Sequence, residues 1–111
     1  MKRIILLTLL CTTTILMAQR INHIQEAIAD YDYETALILI AKEKTTIPLL
    51  LQKGKAQRGL GLNAEALSTY QEIITNDTAN TRAYIEAAEC CRSLAKYQQA
   101  LKYYEQALDL N

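Results

Sequence analysis

Glycine and proline are scarce, at three and one in 111 residues. That excludes a collagen-like or loop-dominated chain. Tryptophan and phenylalanine are missing, so all aromatic character rests on seven tyrosines. A single histidine, His23, leaves no cluster of metal-ligating imidazoles and no second candidate for a Ser-His-Asp site. There is no surplus of either charge: twelve basic residues balance twelve acidic ones. The basic footprint of a nucleic-acid binder is therefore absent. Half of the residues are hydrophobic, which rules out a wholly disordered chain. The length allows one small domain with a real core, not two.

The first eighteen residues form a separate object. Met1-Lys2-Arg3 is a short positive head, and Ile4 to Met17 carries no charge. Ala18 follows, before Gln19 and Arg20. A basic start, a short apolar run and a small residue at the cut are the layout of a secretory signal peptide. The uncharged run is shorter than the about 20 residues of a comfortable membrane span. Cleavage is expected after Ala18, giving a secreted or periplasmic protein. Membrane contact follows only if the segment is left uncleaved as an anchor. Leu10 before Cys11 is too bulky for a lipid-attachment box. Cleavage removes Lys2 and Arg3, leaving ten basic and twelve acidic residues and a net charge of −2.

Of three cysteines, only Cys90 and Cys91 then remain. They are neighbours in a helical pattern, so their side chains point about 100° apart and do not bridge without strain. Two buried apolar thiols are the expected outcome.

From residue 19 onward the chain repeats itself. Ala66-Leu67, Tyr70 and Ile73-Ile74 match Ala100-Leu101, Tyr104 and Ala107-Leu108 at an offset of 34 residues. Both sets place apolar residues at i, i+1, i+4, i+7 and i+8, one face of an α-helix. The same offset links Gly54 to Ala88, Leu60 to Leu94 and Gly61 to Ala95. Upstream, Tyr33 to Leu37 echoes Tyr97 to Leu101. Coincidences at one fixed period mark an internal repeat.

These residues resemble the tetratricopeptide repeat family, which stacks helix–turn–helix units of roughly 34 residues. The last unit fits best, with Ala88, Leu94-Ala95, Ala100, Tyr104 and Ala107 at the family's places. The middle unit fits at Gly54, Leu60-Gly61, Ala66 and Tyr70 but has Ile73 where a second Ala is usual. In the first unit Ile24, Ile40 and Glu43 occupy the small, aromatic and Ala places. The resemblance implies an all-α, right-handed superhelical solenoid of antiparallel helix hairpins. The hairpins are expected over about 19–46, 47–79 and 80–111. Helices are expected near 20–30, 33–44, 47–60, 63–75, 80–94 and 97–109.

Two departures stand out. Ala36 to Ala66 spans 30 residues rather than 34, so one helical turn is missing, placed near Thr45 to Pro48, and the first two hairpins should stack with altered pitch. The sequence also reaches Asn111 with no polar capping helix after the last repeat. Leu101, Tyr104 and Leu108 would then stay partly uncovered. The missing cap favours a longer parent chain. The alternative is self-association through the last helix, as a homo-oligomer within an envelope assembly.

No phosphate-cradling glycine loop, HExxH or nucleophile set occurs in the sequence. No enzyme activity and no cofactor or metal is expected. His23 is expected at a helix seam, and Tyr70, Tyr84 and Tyr104 in the core. The resemblance implies that the inner wall of the superhelix binds a protein or peptide. Carried over by helix phase, that wall holds Asn22 and Gln25, then Leu51, Lys55 and Arg58, then Arg82, Ile85, Glu86, Glu89 and Arg92. Lys55, Arg58, Arg82 and Arg92 form a candidate basic stripe for a carboxylate-bearing peptide. Glu86 and Glu89 interrupt it, on a face expected to be solvated. Co-chaperones of the family grip a C-terminal carboxylate with Lys and Asn. The matching places here hold Ile21, Gln25, Gln52, Arg82 and Glu86, and only Arg82 is compatible, so that clamp is rejected. Asn76-Asp77-Thr78-Ala79 carries overlapping glycosylation acceptor motifs, with Thr78 as the candidate O-linked site.

Overall fold

The computed structural model describes all 111 residues. Six helices follow one another: α1 (Lys2–Ala29), α2 (Tyr33–Ala41), α3 (Ile47–Gly59), α4 (Asn63–Asn76), α5 (Thr81–Ser93) and α6 (Tyr97–Asp109). Each packs on its chain neighbours, which makes three antiparallel hairpins stacked into a superhelical solenoid. Five helices lie where the sequence pattern puts them. The first differs: α1 continues back through the apolar leader instead of starting near residue 20. Residues 1–20 are exposed throughout, and every buried residue lies between Ile24 and Ala107. The body from residue 19 onward thus holds the entire core.

Local chemistry fixes the helix ends. The side chain of Asp32 accepts from the Thr35 N–H at 3.2 Å and that of Asn80 from the Ala83 N–H at 3.0 Å. Thr46 caps α3, with Pro48 in the first turn, where a missing N–H costs nothing. Within each hairpin the turn is the same. The N–H groups of Asp32, Leu62 and Lys96 reach back five residues to the carbonyls of Ala27, Gln57 and Cys91, at 2.8–2.9 Å. Tyr31, Gly61 and Ala95 precede them with φ of 60°, 76° and 59°. This is the Schellman ending, which satisfies orphan carbonyls by a left-handed residue. Glycine adopts that conformation freely, whereas an L side chain costs about 1 kcal/mol.

Small residues set the helix separations. Ala36, Ala56, Ala66, Ala83, Ala87 and Ala88 are completely buried, and side chains this small let helix backbones approach. The largest cluster joins α3 to α6 around Tyr70, Ile73, Cys90 and Cys91. Both thiols are free and buried. Burial raises them, Cys90 to about 11, so both stay protonated and inert at neutral pH. Two smaller clusters serve the first hairpin. The missing turn lies in α2, which has nine residues against fourteen in α4 and thirteen in α6. It was expected nearer Thr45 to Pro48, in the link that follows. A notch of about 380 Å³ opens beside the shortened helix, lined by Leu37, Ile40, Leu49 and Leu50. His23 is exposed on α1 and not seated in a helix seam.

The shared turn makes an opposed pair of predictions. Ala95→Gly should raise stability and Gly61→Ala lower it, each by about 1 kcal/mol. Thermal unfolding of the two single variants reads the signs directly.

Candidate functional site

The inner wall is built by α3 and α5, backed by α4. A cleft of about 380 Å³ opens there, lined by Pro48, Leu51, Gln52, Lys55, Arg58, Tyr70, Arg82 and Glu86. Five of the ten wall residues read from the sequence meet in it: Leu51, Lys55, Arg58, Arg82 and Glu86. Ile85, 37% exposed, and Glu89 and Arg92 share α5 but lie outside the lining. Asn22 and Gln25 are exposed on α1 and are not brought to the cleft.

The electrostatics differ from a free basic stripe. Glu86 receives a hydrogen bond from Arg58 across the α3–α5 seam and one from Arg82 at 3.3 Å one turn away. Its side chain is only 17% exposed, so the solvated-face reading of Glu86 is corrected. Burial alone would lower the Arg58 guanidinium. The Glu86 charge and hydrogen bond outweigh it and hold Arg58 above its usual value. Glu89 accepts from Arg92 at 2.6 Å and from the Tyr104 hydroxyl of α6. Those hydrogen bonds, Tyr104 first and Arg92 second, hold the Glu89 carboxyl below the usual glutamate value. It too is a tie between helices rather than an idle surface charge. Three of the four cations thus have an acidic partner within the protein, although the Arg82 and Arg92 side chains stay 68% and 63% exposed. Lys55 is exposed and makes no ion pair.

Three lining residues were not among the expected wall residues. Pro48 and Gln52 fall on the α3 face of Leu51 and Lys55, and helical spacing alone points to them. Tyr70 was expected in the core, and it is 1% exposed. It reaches the cleft because its ring passes over Gly54, where a Cβ would overlap the ring. Burial, with the Glu86 charge second, raises its phenol far above the ordinary value, so it stays neutral. Its signal was the Gly54 place in the repeat, which shows a close approach but not what approaches. Thr78 lies exposed in the link between α4 and α5. The Tyr84 hydroxyl donates to its carbonyl at 2.9 Å, and Asp77 accepts from the Ala79 N–H at 3.3 Å, so the backbone there is fixed.

What the arrangement offers is a shallow binding surface: apolar at Pro48 and Leu51, amide-bearing at Gln52, with one free cation and a satisfied ion-pair hub.

Residues 81–111 match the tetratricopeptide repeat family, the stretch of α5 and α6 where the repeat pattern is best kept. The fold is similar to the crystal structure of PcrH in complex with the chaperone binding region of PopB. The TM-score is 0.78 at 21% sequence identity, over 84% of this chain and 78% of that one. No curated protein sequence matches the chain significantly. The protein is therefore an all-α helical-repeat solenoid, tetratricopeptide-like in fold.

Two predictions test the electrostatics. Arg58 and Glu86 are only partly buried, so their pairing falls between an exposed and a buried bridge. Glu86→Gln should cost about 1–2 kcal/mol, and a double-mutant cycle with Arg58→Gln should return a coupling of about 1 kcal/mol. Glu89 has a lowered folded value, so its contribution is fully present above the unfolded carboxylate value of about 4.3. It is lost as pH falls through the lower folded value. Glu89→Gln should therefore narrow the stability gap to the parent on acidification, as read by urea midpoints at successive pH values.

Proposed function

We propose that this chain is an exported helical-repeat scaffold that binds a protein or peptide segment in the groove of its superhelix. The observation that carries the reading is the cleft between α3 and α5. It combines an apolar wall, amide donors and acceptors, and one uncommitted lysine. Nothing in it is arranged as a nucleophile with a base, so the proposal is recognition rather than catalysis. The similar solenoid fold of PcrH, solved with a segment of PopB, supports a polypeptide as the class of ligand.

Because Arg58, Arg82 and Arg92 serve internal ion pairs, affinity in this reading rests on Pro48, Leu51, Gln52 and Lys55. The ligand is an extended segment presenting an apolar side chain to Leu51 and an acidic or carbonyl group to Lys55. Export is part of the proposal. Every residue of the leader from Ile4 to Met17 is exposed, and none belongs to a core cluster. The helix that carries it, α1 (Lys2–Ala29), is long and apolar enough to cross a membrane, and a signal sequence near the N-terminus has the same property. Cleavage after Ala18 would release the folded body to the periplasm or the exterior without removing a single buried side chain.

The test is affinity capture from the host's cell envelope with tagged residues 19–111, beside the variant Gln52→Glu, Lys55→Glu. Both positions line the cleft, and neither belongs to the core or takes part in an ion pair, so circular dichroism should be unchanged. A polypeptide held by the parent and lost by at least tenfold in the variant is the expected result. Equal capture by both would reject the groove. The mass of the mature protein should begin at Gln19.

A further inference from the structure

The floor of the cleft holds a hydrogen-bond donor that the protein itself does not use. Tyr70 leaves α4 and lays the hydroxyl end of its ring over Gly54 of α3, where a Cβ would stand 2.8 Å from the oxygen. The residue is 1% exposed, and what it shows to the cleft is this end. Its hydroxyl makes no hydrogen bond within the protein, whereas those of Tyr84, Tyr103 and Tyr104 are all engaged. No side-chain oxygen or nitrogen sealed from solvent is left without a partner, so the Tyr70 oxygen is open to the cleft. A buried donor that only an occupant can satisfy discriminates strongly between ligands with and without the matching acceptor.

The geometry points to the Tyr70 hydroxyl as the specificity-determining donor of the groove, taking the carboxylate of an aspartate or glutamate side chain on the bound segment. The inference rests on the groove reading and adds to it which group enters the floor.

Charge selects a carboxylate over a neutral carbonyl. The lining holds three cations, Lys55, Arg58 and Arg82, against one carboxylate, Glu86. Arg58 gives its Nη1 and Arg82 its Nε to Glu86, which satisfies that carboxylate and leaves an excess of two positive charges around the floor. A hydroxyl that donates to an anion makes a shorter bond, roughly twice as strong as one to a neutral acceptor. Lys55, exposed and without an ion pair, supplies the cation at the rim. Shape selects a side chain over a chain end. From Pro48 to Lys55 the wall runs for about two helical turns, so a segment laid along it passes over the floor and reaches down with a side chain.

The probe is a displayed library of random segments of about twelve residues, held between fixed flanks so that no chain end is free. It is selected on residues 19–111, which contain the whole core. The selected segments should share an acidic position, and changing that acid to its amide should weaken binding about tenfold. Tyr70→Phe should weaken the same segments about tenfold and shrink the preference for acid over amide to about threefold, the part left to Lys55. Because the hydroxyl has no partner in the fold, Tyr70→Phe should melt with the parent; a lowered melting temperature overturns the inference. The Gln52→Glu, Lys55→Glu variant reports whether the segments use the groove at all. Segments lost by that variant but indifferent to Tyr70→Phe, or to the change from acid to amide, leave the groove standing and overturn this inference alone. A selection that yields no segment lost by that variant overturns the groove reading and this inference with it.

Discussion

The close approach of α3 to α4 at Gly54 is the constraint on which the rest depends. With no Cβ at that position, the Tyr70 ring lies flat across the helix and loses nearly all exposure. Burying one aromatic side chain of this size contributes on the order of 1.5–3 kcal/mol. The ring then serves two ends of the structure. Its body joins the core cluster with Ile73, Ala87 and Cys90. Its edge closes the base of the cleft beneath Arg58 and Glu86. A larger residue at 54 would push the ring out, spread the second hairpin and remove the cleft floor together. Ala88, at the equivalent place one repeat later, is also completely buried, so the same logic is repeated with one more carbon.

The groove carries its charges mainly for itself. In a solenoid each hairpin contacts only its neighbours, so stacking angle depends on few interactions. Arg58 to Glu86 crosses from the second hairpin to the third, and Glu89 to Tyr104 ties the two helices of the third. Gln71 donates to the Tyr103 hydroxyl at 3.1 Å across α4 and α6. Each bond alone is modest, but together they fix the curvature that any ligand meets. A basic stripe free to seize a carboxylate would need those arginines unpaired. The observed pairing gives a rigid wall instead, and in the proposed groove reading recognition would pass to the apolar and amide groups beside it.

Much of this was legible in the sequence. The 34-residue offset between Ala66-Tyr70 and Ala100-Tyr104 gave the repeat, and the period located five helices closely. Gly61 and Ala95 marked equivalent turns, which the structure extends to Tyr31 with the same left-handed backbone. Helical phase picked out Leu51, Lys55 and Arg58 because all three lie on one helix. It failed for pairings between helices. That Glu86 would take Arg58 depends on the stacking angle of two hairpins, and no local pattern encodes an angle. For the same reason Tyr70 looked like core alone, and Asn22 and Gln25 looked like groove. Asn22 and Gln25 are exposed on α1 but lie outside the cleft, and the shortened α2 makes the first hairpin depart from the average repeat.

That first hairpin is the lightly held end of the solenoid. Its two clusters are small, and a notch lined by Leu37, Ile40, Leu49 and Leu50 opens beside the shortened α2. One polar interaction compensates in part. Glu43, just past α2, has its side chain only 7% exposed and forms an ion pair with Arg20 of α1, at 3.1 Å. A carboxylate so enclosed is costly without a cation, and removing its partner is worse than never having the pair. Arg20 lies two residues beyond Ala18. If the leader is removed there, the residue that satisfies Glu43 becomes the second residue of the mature chain, at a helix end prone to fray. Cleavage even two residues further along would strand Glu43 beside the notch. Under the proposed cleavage, the position of the cut and the stability of the first hairpin are therefore coupled through a single ion pair, which is kept only where Arg20 is kept.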